Sequence, residues 1–204
     1  MQIDFYYDLF CPWCRIGHKY LLEAIDRWHA QGGEKFSLAY RAYQLDPTLP
    51  PEGMPFRHAA HGKAGEALRQ VAAAGEAAGL PLRFELITRM PNTRLAHRFV
   101  ALLPEPLKAG AVEALFRAVF EEGRDIAALA EIEAIAASLG ADAIAVIEAL
   151  ERGEGEDRVA TDGAVAARLG VKGGPLFVFG SRFALSGAYP PDKLLQAMRR
   201  AAQS

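Results

Sequence analysis

The sequence predicts an α/β fold in which one sheet is covered by helices and interrupted by a helical insertion. Residues 1–45 alternate between strand-like and helix-like patterns, and residues 156–204 read as helix, strand, strand and helix. Between them, residues 46–155 are rich in alanine and have helical spacing of apolar positions. We therefore expect residues 1–45 and 156–204 to form one sheet domain, with residues 46–155 inserted as a helical domain.

The first unit is a strand, a helix and a second strand. Residues 3–7 form an apolar run of strand-favouring types, and apolar residues at roughly helical spacing follow from Ile16 to Trp28. Gln31-Gly32-Gly33 breaks that pattern, and residues 36–41 alternate as a strand does. Two strands joined through a helix are expected to be parallel, with a right-handed crossover.

The insertion begins after a proline-rich connection at residues 46–55. We expect an all-helical segment with helices near residues 56–79, 92–103, 107–122, 126–139 and 142–152. Asn92 and Asp125 are expected N-caps, because a short polar side chain can accept a hydrogen bond from the first helical turn. Gly140 and Gly153 are expected to end helices.

The last fifty residues complete the predicted sheet. A helix near residues 156–169 is followed by Gly173-Gly174-Pro175, which leads into a strand at residues 176–179. Gly180-Ser181 is a two-residue hairpin signal before a return strand at residues 183–185. A final helix is expected over residues 191–202.

The chemistry-bearing motif lies where the first strand meets the first helix. Both cysteines of the chain lie there, in Cys11-Pro12-Trp13-Cys14. Residues three apart share one face of a helix, so the two sulfurs can meet without straining the backbone. A Cys-x-x-Cys pair between a strand and a helix is typical of a thiol–disulfide redox site.

The two cysteines are expected to have different roles. Cys11 would lie at the helix N-terminus, where free N–H groups and the helix dipole favour a thiolate and lower the thiol pKa, and Pro12 fits the first turn. Cys14 is one turn further in and better shielded. We expect Cys11 to attack a disulfide and Cys14 to resolve the mixed disulfide. Trp13 is expected to be exposed and to offer an apolar contact to the substrate.

The sequence gives less support to a further alternative, which is a non-catalytic module with an inert cysteine pair or a zinc-binding module. A zinc site normally needs four ligands, and here one cysteine pair has only His18 as a nearby third candidate. An electrostatic effect of His18 on Cys11 is not expected, because two helical turns separate them. His58 and His61 resemble a metal pair, but such spacing is more often found on a solvated surface.

Composition and charge indicate which partners and which cellular compartment to expect. The net charge of −2 does not indicate the basic surface that nucleic-acid binding requires. The sequence contains no run of 18 apolar residues, so no membrane span is predicted. The N-terminus has no basic region typical of a signal peptide. We therefore expect a cytoplasmic protein with no membrane partner.

Several motifs together resemble the thioredoxin superfamily, specifically its DsbA-like branch and the FrnE-like group of polyketide biosynthesis disulfide oxidoreductases. The resemblance covers essentially the whole chain. It rests on Phe10-Cys11-Pro12-Trp13-Cys14, Leu45-Asp46-Pro47, residues 92–98, residues 170–177 and residues 186–191. It implies a thioredoxin-like fold with a helical insertion, and protein or small-molecule thiols and disulfides as substrates. It leaves a homodimer open.

The resemblance also implies a role for the segment before the last hairpin. Pro175 is expected to be a cis-proline that faces the cysteine pair and presents the substrate together with Gly174. Gly174 departs from the family, in which we expect valine or threonine at this place. Residues 92–98 match the family's insertion motif, and for them a substrate-facing role and plain helix capping stay equally open.

Kappa-class glutathione transferases and 2-hydroxychromene-2-carboxylate isomerases share the fold and are the main alternative. Members often have serine at the first motif position, where this chain has Cys11. Under that alternative, glutathione would be a co-substrate. In either case no tightly bound cofactor is expected.

Overall fold

A computed structural model describes residues 1–57 and 62–203. In this part the chain forms six strands, eight α-helices and one 3₁₀ turn at Phe84–Leu86. In chain order the elements are β1 (Gln2–Tyr7), α1 (Pro12–Ala30), β2 (Ser37–Ala42), β3 (Met54–Pro55), α2 (Gly62–Ala77), β4 (Arg89–Met90), α3 (Arg94–Leu102), α4 (Glu105–Phe120), α5 (Leu129–Ser138), α6 (Ala143–Glu151), α7 (Glu156–Arg168), β5 (Leu176–Phe179), β6 (Phe183–Ser186) and α8 (Pro191–Ala202).

The main sheet has the strand order β2-β1-β5-β6. Strand β1 is parallel to β2 and antiparallel to β5, so that Phe5 is paired with Tyr40 on one side and with Phe177 on the other. Strands β5 and β6 form the antiparallel hairpin. The predicted α/β fold, the parallel first unit and the C-terminal hairpin are thereby confirmed.

Aromatic side chains join the sheet to the inserted helices in one core. The ring of Phe5 stacks on Phe177 with centroids 5.3 Å apart and on Tyr7 with centroids 5.0 Å apart. Tyr7 in turn contacts Phe116 of α4 at 6.0 Å. Each of these side chains is fully buried, and burial of one such ring stabilises the fold by roughly 1.5–3 kcal/mol. The sheet and the inserted helices therefore share one buried core.

Two outer helices hold the edges of the sheet. Helix α8 lies along α1, where Arg27 pairs with Asp192 at 3.0 Å. Helix α7 lies against β2, and its buried Asp162 accepts a hydrogen bond from the N–H of Ala42 at 3.2 Å. Arg41 of β2 lies 3.5 Å from the same carboxylate.

The inserted segment contains a small sheet, so the all-helical prediction for it is wrong at this place. Strands β3 and β4 form a small antiparallel sheet, with Met54 opposite Met90 and Pro55 opposite Arg89. Two residues on each strand are too few to form a period-two pattern, and Pro55 has no N–H for the ladder, so no strand signal is present there. Residues 56 and 57 are not helical, residues 58–61 lie outside the described part of the chain, and α2 is described over Gly62–Ala77.

Two predicted N-caps are displaced by one and three residues. Thr93 is the N-cap of α3, while Asn92 accepts the N–H of Arg94 at 3.0 Å. Ala128 is the N-cap of α5, while Asp125 accepts the N–H of Ala127 at 3.0 Å. Both polar side chains make local Asx-type bonds two residues on, which compete with true capping.

Both predicted helix ends are correct. Gly140 and Gly153 follow the C-caps of α5 and α6 with positive φ angles of 71° and 84°.

Gly17 allows α1 to approach β5 closely. A Cβ atom at this position would lie 2.8 Å from Cγ of Pro175 and 3.2 Å from Cζ of Phe177. Overpacking of this kind costs about 1–3 kcal/mol, and the better helix propensity of alanine returns only about 1 kcal/mol. We expect Gly17→Ala to lower the free energy of unfolding in urea by up to about 2 kcal/mol.

Gly163 of α7 is the matched control for this substitution, because a Cβ there would meet no atom within 4 Å. Gly163→Ala is expected to raise the free energy of unfolding by roughly 0.5–1 kcal/mol. Equal effects of the two substitutions would contradict the close approach at Gly17.

Candidate active site

Cys11 is the N-cap residue of α1. Its φ and ψ angles are −106° and 108°, and Pro12 begins the helix. Its Sγ accepts a hydrogen bond from the N–H of Cys14 at 3.3 Å, so sulfur takes the place that an oxygen usually has at an N-cap. The N–H of Cys11 donates to the carbonyl of Asp8 at 3.1 Å. The predicted position of Cys11 at the helix start is confirmed.

Both cysteines are free thiols, and they differ in exposure. Cys11 is 3% exposed and Cys14 is fully buried. Burial raises the pKa of the Cys14 thiol well above its ordinary value, and the hydrogen bond to Cys11 raises this pKa further. Cys14 is therefore held as a protonated thiol directly behind the Cys11 sulfur.

Trp13 lies at the protein surface, as predicted, with 36% of its area exposed. Trp13 and Pro12 line one side of an open groove of about 370 Å³. The other side is formed by Phe56, Arg57 and residues of α2, which are Ala64, Ala67, Leu68 and Val71. The groove is mostly apolar and begins beside the cysteine motif.

The segment before β5 lies against α1 but differs from its prediction. Pro175 is buried and packs over Gly17, one turn beyond Cys14. No peptide bond in the described residues is cis, so the expectation of a cis bond before Pro175 is wrong.

The two glycines before Pro175 have unusual backbone angles. Gly173 and Gly174 have positive φ angles of 151° and 64°. Such angles turn the chain before the proline, and a valine or threonine at the second position could not adopt them without strain. The carbonyl of Pro175 accepts the N–H of Gly187 at 2.8 Å, which ties the segment to the end of β6.

Asp8 is a buried residue of this site that the sequence analysis did not single out. It is 3% exposed, and its two carboxylate oxygens accept the N–H groups of Phe10 at 3.1 Å and Leu45 at 2.6 Å. Burial raises its pKa, against the opposing effect of these donors and of the Thr93 hydroxyl. The sequence feature that could have indicated it is an acidic residue between two apolar stretches, three positions before Cys11.

A second buried polar group joins α1 to the insertion. Arg15, which is 3% exposed, donates to Glu113 at 2.6 Å and to Glu121 at 2.8 Å. His18 lies 3.3 Å from Glu113 and 2.9 Å from the hydroxyl of Tyr40. Burial lowers the pKa of His18 although Glu113 opposes this. In Glu113 burial raises the pKa, but the neighbouring His18 and the hydrogen bond from Arg15 outweigh it and give a pKa of about 2.

The insertion motif at residues 92–98 lies mostly inside the protein. Asn92 accepts from Gln44 at 3.0 Å and donates to the carbonyl of Leu49 at 2.6 Å. His97 is 2% exposed, and its Nε2 atom lies 4.0 Å from the Asp8 carboxylate. These contacts hold the loop after β2 and the loop before Cys11 together, which fits the capping and packing role.

In residues 1–57 and 62–203, no three His, Cys, Asp or Glu side chains come together as metal ligands. The histidine pair at 58 and 61 lies outside the described residues. Among the described helices, none is both long and apolar enough to cross a membrane.

The sheet and the cysteine pair at its strand–helix junction define a thioredoxin-fold protein. A sequence model of the DSBA-like thioredoxin domain matches residues 2–199. The chain therefore belongs to the DsbA-like thioredoxin domain family. A comparison with curated proteins found no match.

Solved structures agree with this assignment. The chain is similar to a probable DsbA oxidoreductase from Streptomyces coelicolor, with 26% identity, a TM-score of 0.85, and coverage of 100% of this chain and 91% of that one. It is similar to a 2-hydroxychromene-2-carboxylate isomerase at 19% identity and a TM-score of 0.73, with 100% and 95% covered. It is also similar to the cytosolic disulfide reductase DsbM from Pseudomonas aeruginosa with GSH, at 19% identity and a TM-score of 0.65, with 100% and 96% covered.

Proposed function

We propose that the protein is a cytoplasmic thiol–disulfide oxidoreductase that acts through Cys11 and Cys14. One observation carries the proposal: the Cys11 sulfur lies at the helix N-cap and accepts the N–H of Cys14. A partial positive charge at a helix N-terminus and an N–H donor are what a reactive thiolate needs. The inserted domain of residues 46–155 supplies α2, which forms one side of the groove beside the motif.

The proposed reaction has two exchange steps. The Cys11 thiolate attacks a substrate disulfide, a mixed disulfide forms, and one substrate sulfur leaves as a thiolate. Cys14 then attacks the Cys11 sulfur, which releases the second substrate thiolate and leaves a Cys11–Cys14 disulfide. The substrate gains two electrons and the cysteine pair loses them. The reverse sequence would oxidise a substrate dithiol.

Substrate contacts are proposed for four residues around this pair. Pro12 and Trp13 give an apolar wall at the groove, which suits the side chains that flank a protein disulfide. Gly174 has no side chain and is open on its Cβ side, so an extended substrate could approach its backbone. Pro175 holds that segment against α1.

Reduction of insulin disulfides tests the proposal directly. We expect the wild-type protein, supplied with dithiothreitol, to catalyse insulin precipitation well above the rate with dithiothreitol alone. Titration in glutathione buffers should give one reduction potential for the pair, with each 30 mV equal to about 1.4 kcal/mol. Turnover no faster than the reagent blank would contradict the proposal.

The similarity to an isomerase and to a reductase with GSH supports a second candidate, a glutathione-dependent isomerase or transferase. Arg57 at the groove would offer a cation to the carboxylates of glutathione. Saturable glutathione binding, with activity kept in Cys14→Ser, would favour this candidate. In the first candidate glutathione is instead a co-substrate that recycles the pair.

A further inference from the structure

A second open cleft lies between the loop after β2 and helix α7. Its volume is about 490 Å³, and we call it the α7 cleft. One wall comes from residues 42–47, and the other is the face of α7 that carries Ala160, Gly163 and Ala167. These α7 residues are small, and a Cβ atom at Gly163 would meet no atom within 4 Å. The cleft is therefore open along the helix.

The α7 cleft begins close to Cys11. The N–H groups of Leu45 and Cys11 both donate to Asp8, the first to its carboxylate at 2.6 Å and the second to its carbonyl at 3.1 Å. Leu45 and Cys11 are therefore neighbours across one residue of the loop before α1. Tyr43, next in the same wall, donates its hydroxyl to the carbonyl of Val171 at 3.3 Å. A substrate sulfur bonded to Cys11 would thus bring its own chain to the mouth of the α7 cleft.

The mouth of the α7 cleft is continuous with the backbone segment that is proposed to meet the substrate. A Cβ atom placed at Gly173 would lie 3.9 Å from Cδ2 of Leu45, which is van der Waals range. Within the described residues, the main-chain groups of Gln44, Gly173 and Gly174 make no hydrogen bond. Extended peptide chains bind by pairing with such main-chain groups. The mouth can therefore hold a chain in extended conformation.

The lining of the α7 cleft suits apolar side chains. Leu45 exposes 44% of its area at the mouth, and Val159 and Val171 continue the apolar lining. Arg94 is the one charged residue among the described residues that line the cleft, and its Nε atom donates to Glu156 at 3.0 Å. A ligand with free carboxylates, such as glutathione, therefore finds no unpaired cation among them.

We propose that the α7 cleft binds an extended apolar segment of a polypeptide substrate whose cysteine is joined to Cys11. The inference rests on the proposed dithiol function and names proteins, rather than small thiols, as its substrate class. The substrate chain passes Gly174 and packs apolar side chains against Leu45 and the α7 wall. The groove beside Trp13 is left for the part of the substrate on the other side of its cysteine.

Filling the α7 cleft tests the proposal. Gly163→Leu adds a side chain in its open part, away from the cysteines, and leucine is a good helix former. We expect kcat/KM for insulin reduction to fall about tenfold, because the burial of one apolar substrate side chain is lost. The reaction of Cys11 with 5,5′-dithiobis(2-nitrobenzoate) should stay within about twofold of the wild-type rate, because each half of this reagent is a single ring.

Leu45→Ser tests the mouth of the cleft from the opposite wall. It removes the apolar contact but keeps the main-chain N–H that donates to Asp8. We expect kcat/KM for insulin reduction to fall about fivefold to tenfold. Leu129→Ser is the matched control, because Leu129 at the start of α5 is 39% exposed and does not line the α7 cleft. Its rate with insulin should equal that of the wild type.

Hydrogen–deuterium exchange locates the bound chain without changing the cleft. Cys14→Ser is joined by a mixed disulfide either to a short synthetic peptide, rich in leucine and valine and with a single cysteine, or to glutathione. In the peptide adduct we expect slower amide exchange in residues 43–47 and 170–174 than in the glutathione adduct.

Three results would overturn the α7 cleft as the binding site and leave the proposed function standing. They are equal insulin rates in wild type and Gly163→Leu, equal losses with insulin and with the dithiobis reagent, and equal exchange of residues 43–47 in the two adducts. A wild-type protein that reduces neither insulin nor the dithiobis reagent would overturn the proposed function and this inference together.

Discussion

Cys11→Ser is expected to lower the turnover of insulin reduction by at least about three orders of magnitude, to the level of the reagent blank. A serine hydroxyl at the N-cap can still accept the N–H of Cys14, so the fold and the helix start should be kept. The hydroxyl remains protonated at neutral pH and does not attack a disulfide. Cys14 cannot replace Cys11 because it is fully buried and its pKa is raised.

Cys14→Ser is the matched variant, and it should stop the reaction at a different point. Cys11 keeps its position at the helix N-terminus, so the first exchange should proceed and the mixed disulfide should accumulate. With oxidised glutathione, intact-mass spectrometry should show one glutathione per chain in Cys14→Ser and none in Cys11→Ser. Turnover in Cys11→Ser, or wild-type turnover in Cys14→Ser with glutathione, would contradict the two-cysteine mechanism.

The sequence predicted the parts of the site that depend on local pattern. Three features can be recognised within twenty residues of sequence. They are a strand-like run before Cys11, a proline in the first turn of α1, and helical spacing of apolar residues after it. The C-terminal hairpin was readable for the same reason, because Gly180-Ser181 separates two short apolar runs. Each of these features is decided by residues close to one another in the chain.

The buried polar contacts could not be predicted in the same way. Arg15 and Glu113 are 98 residues apart, and Asp8 and Leu45 are 37 apart, and no local spacing pairs them. In the sequence alone, an arginine after Cys14 and a glutamate inside α4 both read as surface charge. Burial of the helix pair turns them into partners, since a buried charge requires an opposite charge or hydrogen bonds.

The insertion motif shows how the structure decides between two interpretations that the sequence left open. Thr93 and His97 face Asp8 rather than solvent, and Asn92 binds the loop after β2. Thr93 and His97 therefore belong to the packing around the loop before Cys11. None of residues 92–98 lines the groove beside Trp13.

His97 should make the stability of the protein strongly dependent on pH. Its imidazole is 2% exposed and packs edge-on against Tyr7 with ring centroids 5.0 Å apart. Neither ring nitrogen makes a well-aligned hydrogen bond within the described residues. Burial lowers its pKa from 6.5 to about 3, and the main chain of Tyr43 acts in the opposite direction.

A depressed folded-state pKa means that protonation favours the unfolded chain. The contribution of neutral His97 is complete above pH 6.5 and is lost progressively as the pH falls toward 3. A pH of 4.5 is two units below the pKa of the histidine in the unfolded chain. The free energy of unfolding that is lost at this pH is therefore about 2–3 kcal/mol. The carboxylate of Asp8, 4.0 Å from Nε2, favours the protonated ring, so it reduces this loss toward the lower end of the range.

Urea unfolding at pH 7.5 and pH 4.5 measures this effect in wild type, His97→Gln and His29→Gln. Other groups, such as Glu113 with its pKa of about 2, contribute alike to all three proteins and cancel in the comparison. His97→Gln should lose about 2–3 kcal/mol less than wild type between the two pH values. His29 is exposed at the end of α1, so His29→Gln should keep the wild-type slope. If both variants lose the same stability as wild type, then His97 is not held as a neutral ring in the folded protein.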